Sequence, residues 1–246
     1  MRKLTGFIVI ALFCSCSINN INEDKSLSQY FNHNQLDGTF GLFDNISGEF
    51  TIYNVSRYRD SAYLPASTFD IVNTLIGIEI GRVRDSAQAI PSFGELAQRI
   101  GKDTLQRWLD TLGYGRRYNK PVIQDNLDTF WLDNSLKVTA DEQLGLVKKL
   151  YFGQLPFQAR SQRMVKNMML QEDNANYKLS YKIGEGYTDK GYKLGWIVGW
   201  IEENRHPYFF VFQLQSRVRN SWEVDLGRVD LLKEILRKYG FMEGKR

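Results

Sequence analysis

Ser67-Thr68-Phe69-Asp70 sets a hydroxyl and a carboxylate three residues apart at the head of an apolar pattern. From Ser67 onward, Phe69, Val72, Leu75 and Ile76 recur at helical spacing, which predicts an amphipathic helix buried along one stripe, with Gly77 near its end. A serine at a helix N-terminus stands where backbone amides and the helix dipole favour developing negative charge. The carboxylate of Asp70 has two possible uses. It can complete a capping-box pattern with Ser67, a helix cap being worth about 0.5–2 kcal/mol, or it can accept a proton. At its reference pKa of about 3.9 it accepts poorly at neutral pH unless burial raises that value. The capping role is the expected one.

Other chemistries have less support in the residues. His33 falls in a polar segment and His206 in a turn, and neither has acidic or cysteine partners at ligand spacing, so no metal is expected. Gly184-Glu185-Gly186 follows a strand pattern but opens no helix, which excludes a dinucleotide fingerprint. The formal charge of +4 falls to about +2 without Arg2 and Lys3, too little to argue for nucleic acid. Gly115-Arg116-Arg117-Tyr118-Asn119-Lys120 reads as solvated loop.

The elements that must position Ser67 and Asp70 follow from periodicity. Gly38 to Phe43 and Glu49 to Tyr53 alternate around a turn at Asp44-Asn45-Ile46-Ser47-Gly48 and read as a hairpin. Helical spacing predicts helices over Phe93 to Ile100, Asp103 to Leu112, Thr139 to Phe152 and Arg160 to Leu170, with Thr139-Ala140-Asp141-Glu142 a capping box. Tyr177 to Ile183, Tyr192 to Ile201 and Tyr208 to Leu214 read as strands, and Asp225 to Tyr239 as a closing helix. The expectation is an α+β domain: a central antiparallel sheet flanked by helices, with a mostly helical middle region.

Met1-Arg2-Lys3, an apolar run from Leu4 to Phe13 and then Cys14-Ser15-Cys16 form the plan of a signal peptide, and look like a bacterial lipoprotein signal cleaved before Cys16. Residues 1–16 are therefore expected to be the signal with Cys16 its lipidation site, 17–35 a flexible tether, and 36–246 one domain. A lipid on Cys16 would hold the protein to a membrane in the cell envelope, on the periplasmic face, with the outer membrane the expected one.

Several motifs in one order carry a resemblance. Leu64-Pro65-Ala66-Ser67-Thr68-Phe69-Asp70-Ile71-Val72-Asn73, the run from Phe130-Trp131-Leu132-Asp133 to Gln143, Lys148-Lys149-Leu150-Tyr151 and Ser161-Gln162-Arg163 together resemble the class D β-lactamases, the oxacillinases, within the penicillin-binding serine enzymes. The resemblance runs from Gly38 to about Tyr239 and implies that fold. It makes Ser67 the nucleophile that attacks a lactam carbonyl. Asp70 then stands where the family has a lysine that binds CO₂ as a carbamate and serves as the base, so no cofactor is expected here. The carboxyl carbon of Asp70 falls about 5 Å short of a carbamate carbon.

The same resemblance assigns Lys182, Ile183 and Gly184 to a Lys-Thr-Gly motif that has lost its threonine, and pairs the backbone amides of Ser67 and Glu185 as the oxyanion hole. Arg228 falls where the substrate carboxylate is bound. Trp131, Leu132 and Tyr114 fall among the ligand-binding positions. Alignment on Ile90-Pro91 and Glu95-Leu96-Ala97 puts Gln88 at a proton-relaying serine, with Ser86 a nearby substitute. The ligand implied is a β-lactam or peptidoglycan-like molecule. Binding with strongly impaired hydrolysis is the expected function. An active hydrolase with an improvised base and a non-catalytic envelope scaffold are the alternatives.

Overall fold

The structure, a computed structural model, describes residues 20–84, 92–117, 120–220 and 225–246. The expected tether is ordered from Ile21 onward: strand β1 (Ile21–Glu23), a 3-10 turn and helix α1 (Ser28–His33) occupy it. Leu27 and Phe31, four residues apart, are fully buried, and the Phe31 ring stacks on Tyr53 at 4.5 Å. A side chain at residue 38 would prevent this, since a Cβ on Gly38 would stand 2.6 Å from Phe31 Cε1. Two apolar anchors therefore suffice to dock a segment whose average composition is polar. The domain begins before Leu36.

Strand β2 (Leu36–Asp44) and strand β3 (Phe50–Tyr53) form the expected hairpin, with Asp44 Oδ1 accepting from the Ile46 amide at 2.7 Å and Gly48 in the left-handed region at φ 73°. Helix α2 (Val55–Asp60) and strand β4 (Ala62–Tyr63) lead into a 3-10 turn, Ala66–Phe69, which runs directly into helix α3 (Asp70–Glu79). Helices α4 (Phe93–Ile100), α5 (Lys102–Leu112), α6 (Ala140–Tyr151) and α7 (Ala159–Met169) match the predicted periodicity, and strand β5 (Val138–Thr139) pairs with β4. The α6 capping box forms: Thr139 Oγ1 accepts from the Glu142 amide at 3.1 Å, and the Glu142 carboxylate accepts from the Thr139 amide at 2.9 Å.

Strand β6 (Leu170–Asp173) borders a meander of β7 (Lys178–Tyr187), β8 (Tyr192–Glu203) and β9 (His206–Arg219), and helix α8 (Val229–Lys238) closes the chain. Among the described residues the sheet has seven strands in the order β1-β3-β2-β9-β8-β7-β6, antiparallel except where β1 runs parallel to β3. Alternation along β8 and β9 feeds two cores. Trp196, Val198, Trp200, Phe209 and Val211 face the helical middle region, whereas Ile197, Ile201, Phe210, Phe212 and Leu214 face α1 and α8. Burial on both faces explains why these strands read as almost continuous apolar runs. The expected closing helix starts later than Asp225, because Leu226 is buried against Gly195 before the helix turns.

Candidate active site

Strand periodicity arranges β7 toward the helical middle region. Lys182, Gly184 and Gly186 alternate onto one face, and the Ala66–Phe69 turn lies on it: a Cβ on Gly184 would meet the Thr68 amide nitrogen at 2.7 Å and the Ser67 amide nitrogen at 3.0 Å, while one on Gly186 would meet Leu64 at 2.6 Å. Glycine at 184 thus lets the two backbones touch. The Ser67 amide comes beside β7 at Gly184, the residue before Glu185.

Ser67 is half-buried, and its hydroxyl has no hydrogen-bond partner among the described residues. The turn that carries it is pinned on several sides. Ala66, immediately before the serine, has φ 49°, a left-handed conformation that costs a non-glycine residue about 1–3 kcal/mol. Its amide donates to the Trp131 carbonyl at 3.1 Å, and Trp196 Nε1 donates to the Leu64 carbonyl at 2.9 Å. Thr68 Oγ1 donates to the Pro65 carbonyl and accepts from Gln143 Nε2, both at 2.6 Å and both buried. Sequence reasoning missed Gln143. Its signal was a polar residue in the phase of Ala140, Leu144 and Val147, the buried stripe of α6.

Asp70 opens α3, yet it does not cap it. The N-cap position is Phe69 and no side chain accepts from the first-turn amides. Ser67 already lies inside the 3-10 turn, so the extended conformation that a capping serine needs is absent. The Asp70 carboxylate points instead to β7, where its Oδ2 stands 2.7 Å from Lys182 Nζ, with the two side chains 5% and 30% exposed. This corrects the capping expectation. Burial is the larger influence on Asp70 and raises its pKa to about 6, against the lowering effect of Lys182. Lys182 Nζ also lies 4.9 Å from the Phe93 ring centroid. Beside the pair is a cavity of about 90 Å³ with apolar walls from Ile71, Val165, Met168 and Met169. Ser67 does not line it.

Other expected ligand contacts are placed elsewhere. Ile183 lies on the opposite face of β7, packed with the core under α1 and α8. The Glu185 side chain, also on that face, accepts from the Leu226 amide at 2.8 Å and pairs with Lys193 at 3.2 Å. Arg228 is engaged by other groups: its Nε and Nη2 donate to both oxygens of Asp230 at 3.0 and 2.9 Å, and its Nη1 donates to Asn34 Oδ1 at 3.0 Å. It ties the start of α8 to α1. Trp131 and Tyr114 are buried core residues, 3% and 4% exposed; Trp131 stacks on Phe69 at 5.1 Å, and the Tyr114 hydroxyl donates to Gln143 Oε1 at 3.4 Å. Leu132, 40% exposed, remains open to solvent. Gln88, Ser86 and Cys16 lie outside the described residues.

The penicillin binding protein transpeptidase domain matches residues 89–224. The chain is 30% identical over 243 residues to β-lactamase OXA-48 of Klebsiella pneumoniae, with 88% of each protein covered. It is 32% identical over 233 residues to the probable β-lactamase YbxI of Bacillus subtilis (strain 168), covering 84% of this chain and 82% of that one. FUS-1 (OXA-85), a class D β-lactamase from Fusobacterium nucleatum subsp. polymorphum, superposes with a TM-score of 0.78 at 29% identity, over 89% of this chain and 98% of the other. The chain therefore belongs to the class D serine β-lactamase and penicillin-binding family, and its fold is theirs.

Proposed function

We propose that this protein captures a β-lactam or a cell-wall peptide at Ser67 and turns it over poorly. Acylation would form a bond from Ser67 Oγ to the carbonyl carbon and break the carbon–nitrogen bond, the hydroxyl proton ending on the departing nitrogen. The Ser67 amide, held beside β7, supports stabilisation of the oxyanion. The observation that carries the impairment is the Asp70–Lys182 ion pair at 2.7 Å. Where the family has its base lysine, this chain has a short carboxylate engaged by an ammonium and facing a cavity that Ser67 does not line. Absence of general-base help costs about 10²–10⁴-fold.

The second reading, a hydrolase that uses Asp70 as base, is favoured by one observation: burial brings the carboxyl to about 6, within the range useful near neutral pH. Intact-mass measurements with a penicillin, alongside turnover of a chromogenic cephalosporin, separate the readings. A persistent single adduct lost in Ser67→Ala supports capture. Sustained turnover that is lost in both Ser67→Ala and Asp70→Asn supports the hydrolase. Neither adduct nor turnover leaves the scaffold.

The lipid anchor at Cys16 and an envelope location rest on the N-terminal sequence alone. Membrane fractionation of the wild type and Cys16→Ser tests them, release of the variant being the expected result.

A further inference from the structure

A second cavity, of about 450 Å³, lies at the far end of β7 from Lys182, and neither Ser67, Asp70 nor Lys182 lines it. Its volume is in the range of small-molecule sites. Five cationic side chains and two carboxylates surround it. Both carboxylates are already paired: Asp37 with Arg217 at 2.9 Å and Asp189 with Lys137 at 3.1 Å. Arg57, Lys190 and Arg219 are left without an ion-pair partner among the described residues.

Arg57 is the built part of the site. Its Nε and Nη2 donate to Gln213 Oε1 at 2.6 Å and Gln215 Oε1 at 2.8 Å, and its guanidinium lies over the Tyr63 ring at 4.7 Å. Neutral amides and a ring orient this cation without neutralising it, and burial lowers its pKa. Arg219 is backed in the same way by Tyr192, at 5.2 Å. Scattered exposed cations are ordinary protein surface, but oriented guanidinium groups converging on one concavity are not. Their planar forks fit phosphate oxygens, and unpaired positive charge in excess of one favours a ligand carrying more than one negative charge.

We propose that this cavity binds a phosphate ester bearing at least two negative charges, held by Arg57, Arg219 and Lys190. The site is independent of Ser67 acylation. Calorimetric titration of the full chain carrying Cys16→Ser with inorganic pyrophosphate tests it, together with glycerol phosphate and with flotation on phosphatidic acid and phosphatidylcholine vesicles. One-to-one binding of pyrophosphate tighter than about 1 mM is expected. It should weaken about tenfold or more in Lys190→Gln/Arg219→Gln, whose altered side chains are both exposed, and also in Arg57→Gln, and it should fall with rising salt. Penicillin adduct formation at Ser67 is expected to be unchanged in the exposed double variant. Flotation on phosphatidic acid but not phosphatidylcholine vesicles would identify a phosphomonoester headgroup as the phosphate source, and glycerol phosphate binding without flotation a soluble ester. Absence of saturable binding, indifference to the substitutions, or equal affinity for citrate would overturn the proposal.

Discussion

Lys182 Nζ and Asp70 Oδ2 meet at 2.7 Å between strand β7 and the first turn of α3. The pair links the face of β7 that carries Gly184 to the helix that follows Ser67, so the site's charge balance and its geometry depend on the same contact. Neither partner is fully solvated, and loss of either leaves the other without compensation.

Ionisation of Asp70 opposes folding. Its pKa is about 6 in the fold against about 3.9 unfolded. Below about pH 4 the group is neutral in both states and its contribution to stability is fully present; as pH rises through 6 the unfolded chain has already lost the proton and the contribution is lost. At about 1.4 kcal/mol per pKa unit the decline is at most about 3 kcal/mol. Urea unfolding of the wild type and Asp70→Asn between about pH 4 and pH 7 measures it: the stability difference, wild type minus variant, is expected to fall across that interval. A difference that does not vary with pH would contradict the burial argument.

Gly184→Ala places a methyl group 2.7 Å from the Thr68 amide nitrogen and 3.0 Å from that of Ser67. Both contacts are with backbone, which cannot rotate away. Expected are a destabilisation of about 1–3 kcal/mol and a loss of Ser67 acylation larger than the folded fraction explains. Denaturation curves and adduct formation under folding conditions check the two parts separately.

Gln143→Leu removes the donor to Thr68 Oγ1 while keeping most of the volume in a fully buried position. The expected cost is about 1–3 kcal/mol, as for a buried polar group left short of a partner. Because Thr68 sits next to the serine, penicillin acylation should slow as well. Equal acylation at equal folded fraction would show that the Thr68–Gln143 bond supports the core alone.

Glu185 fixes the approach to α8 through one oxygen, which accepts from the Leu226 amide at 2.8 Å, and pairs with Lys193 through the other. Glu185→Gln retains an oxygen acceptor and is expected to cost under about 1 kcal/mol. Glu185→Ala removes it and should cost about 1–3 kcal/mol. Comparing the two by chemical denaturation distinguishes the hydrogen bond from the ion pair.

Much of the fold was legible in local pattern. The four middle helices and the hairpin begin and end close to their predicted limits, because each carries its own period and a turn or cap at its boundary, whereas β7 and β9 run past theirs to Tyr187 and Arg219. Residues 20–35 were not legible: Leu27 and Phe31 are sparse in a polar stretch, and their burial depends on the space left at Gly38. In the site, Ser67 at a helix head and the common phase of Lys182 and Gly184 were open to reading, while Gln143 lay hidden within an apolar stripe.

The sequence by itself determined the family, the order of the hairpin, the middle helices, the long strands and the last helix, and the closeness of Ser67 to a helix start, since these follow from periodicity and from motifs in fixed order. Only the tertiary structure decided which partners charges take across distant elements. Asp70 as a cap and Asp70 as the partner of Lys182 are the same local sequence, and packing β7 against the turn selects the second by burying the carboxylate beside an ammonium. The same holds for the contact of Arg228 with Asn34, which forms because α8 begins beside α1, whereas its pairing with Asp230 is local. Side-chain pairing between distant elements is a property of surfaces brought together, and no local spacing encodes it.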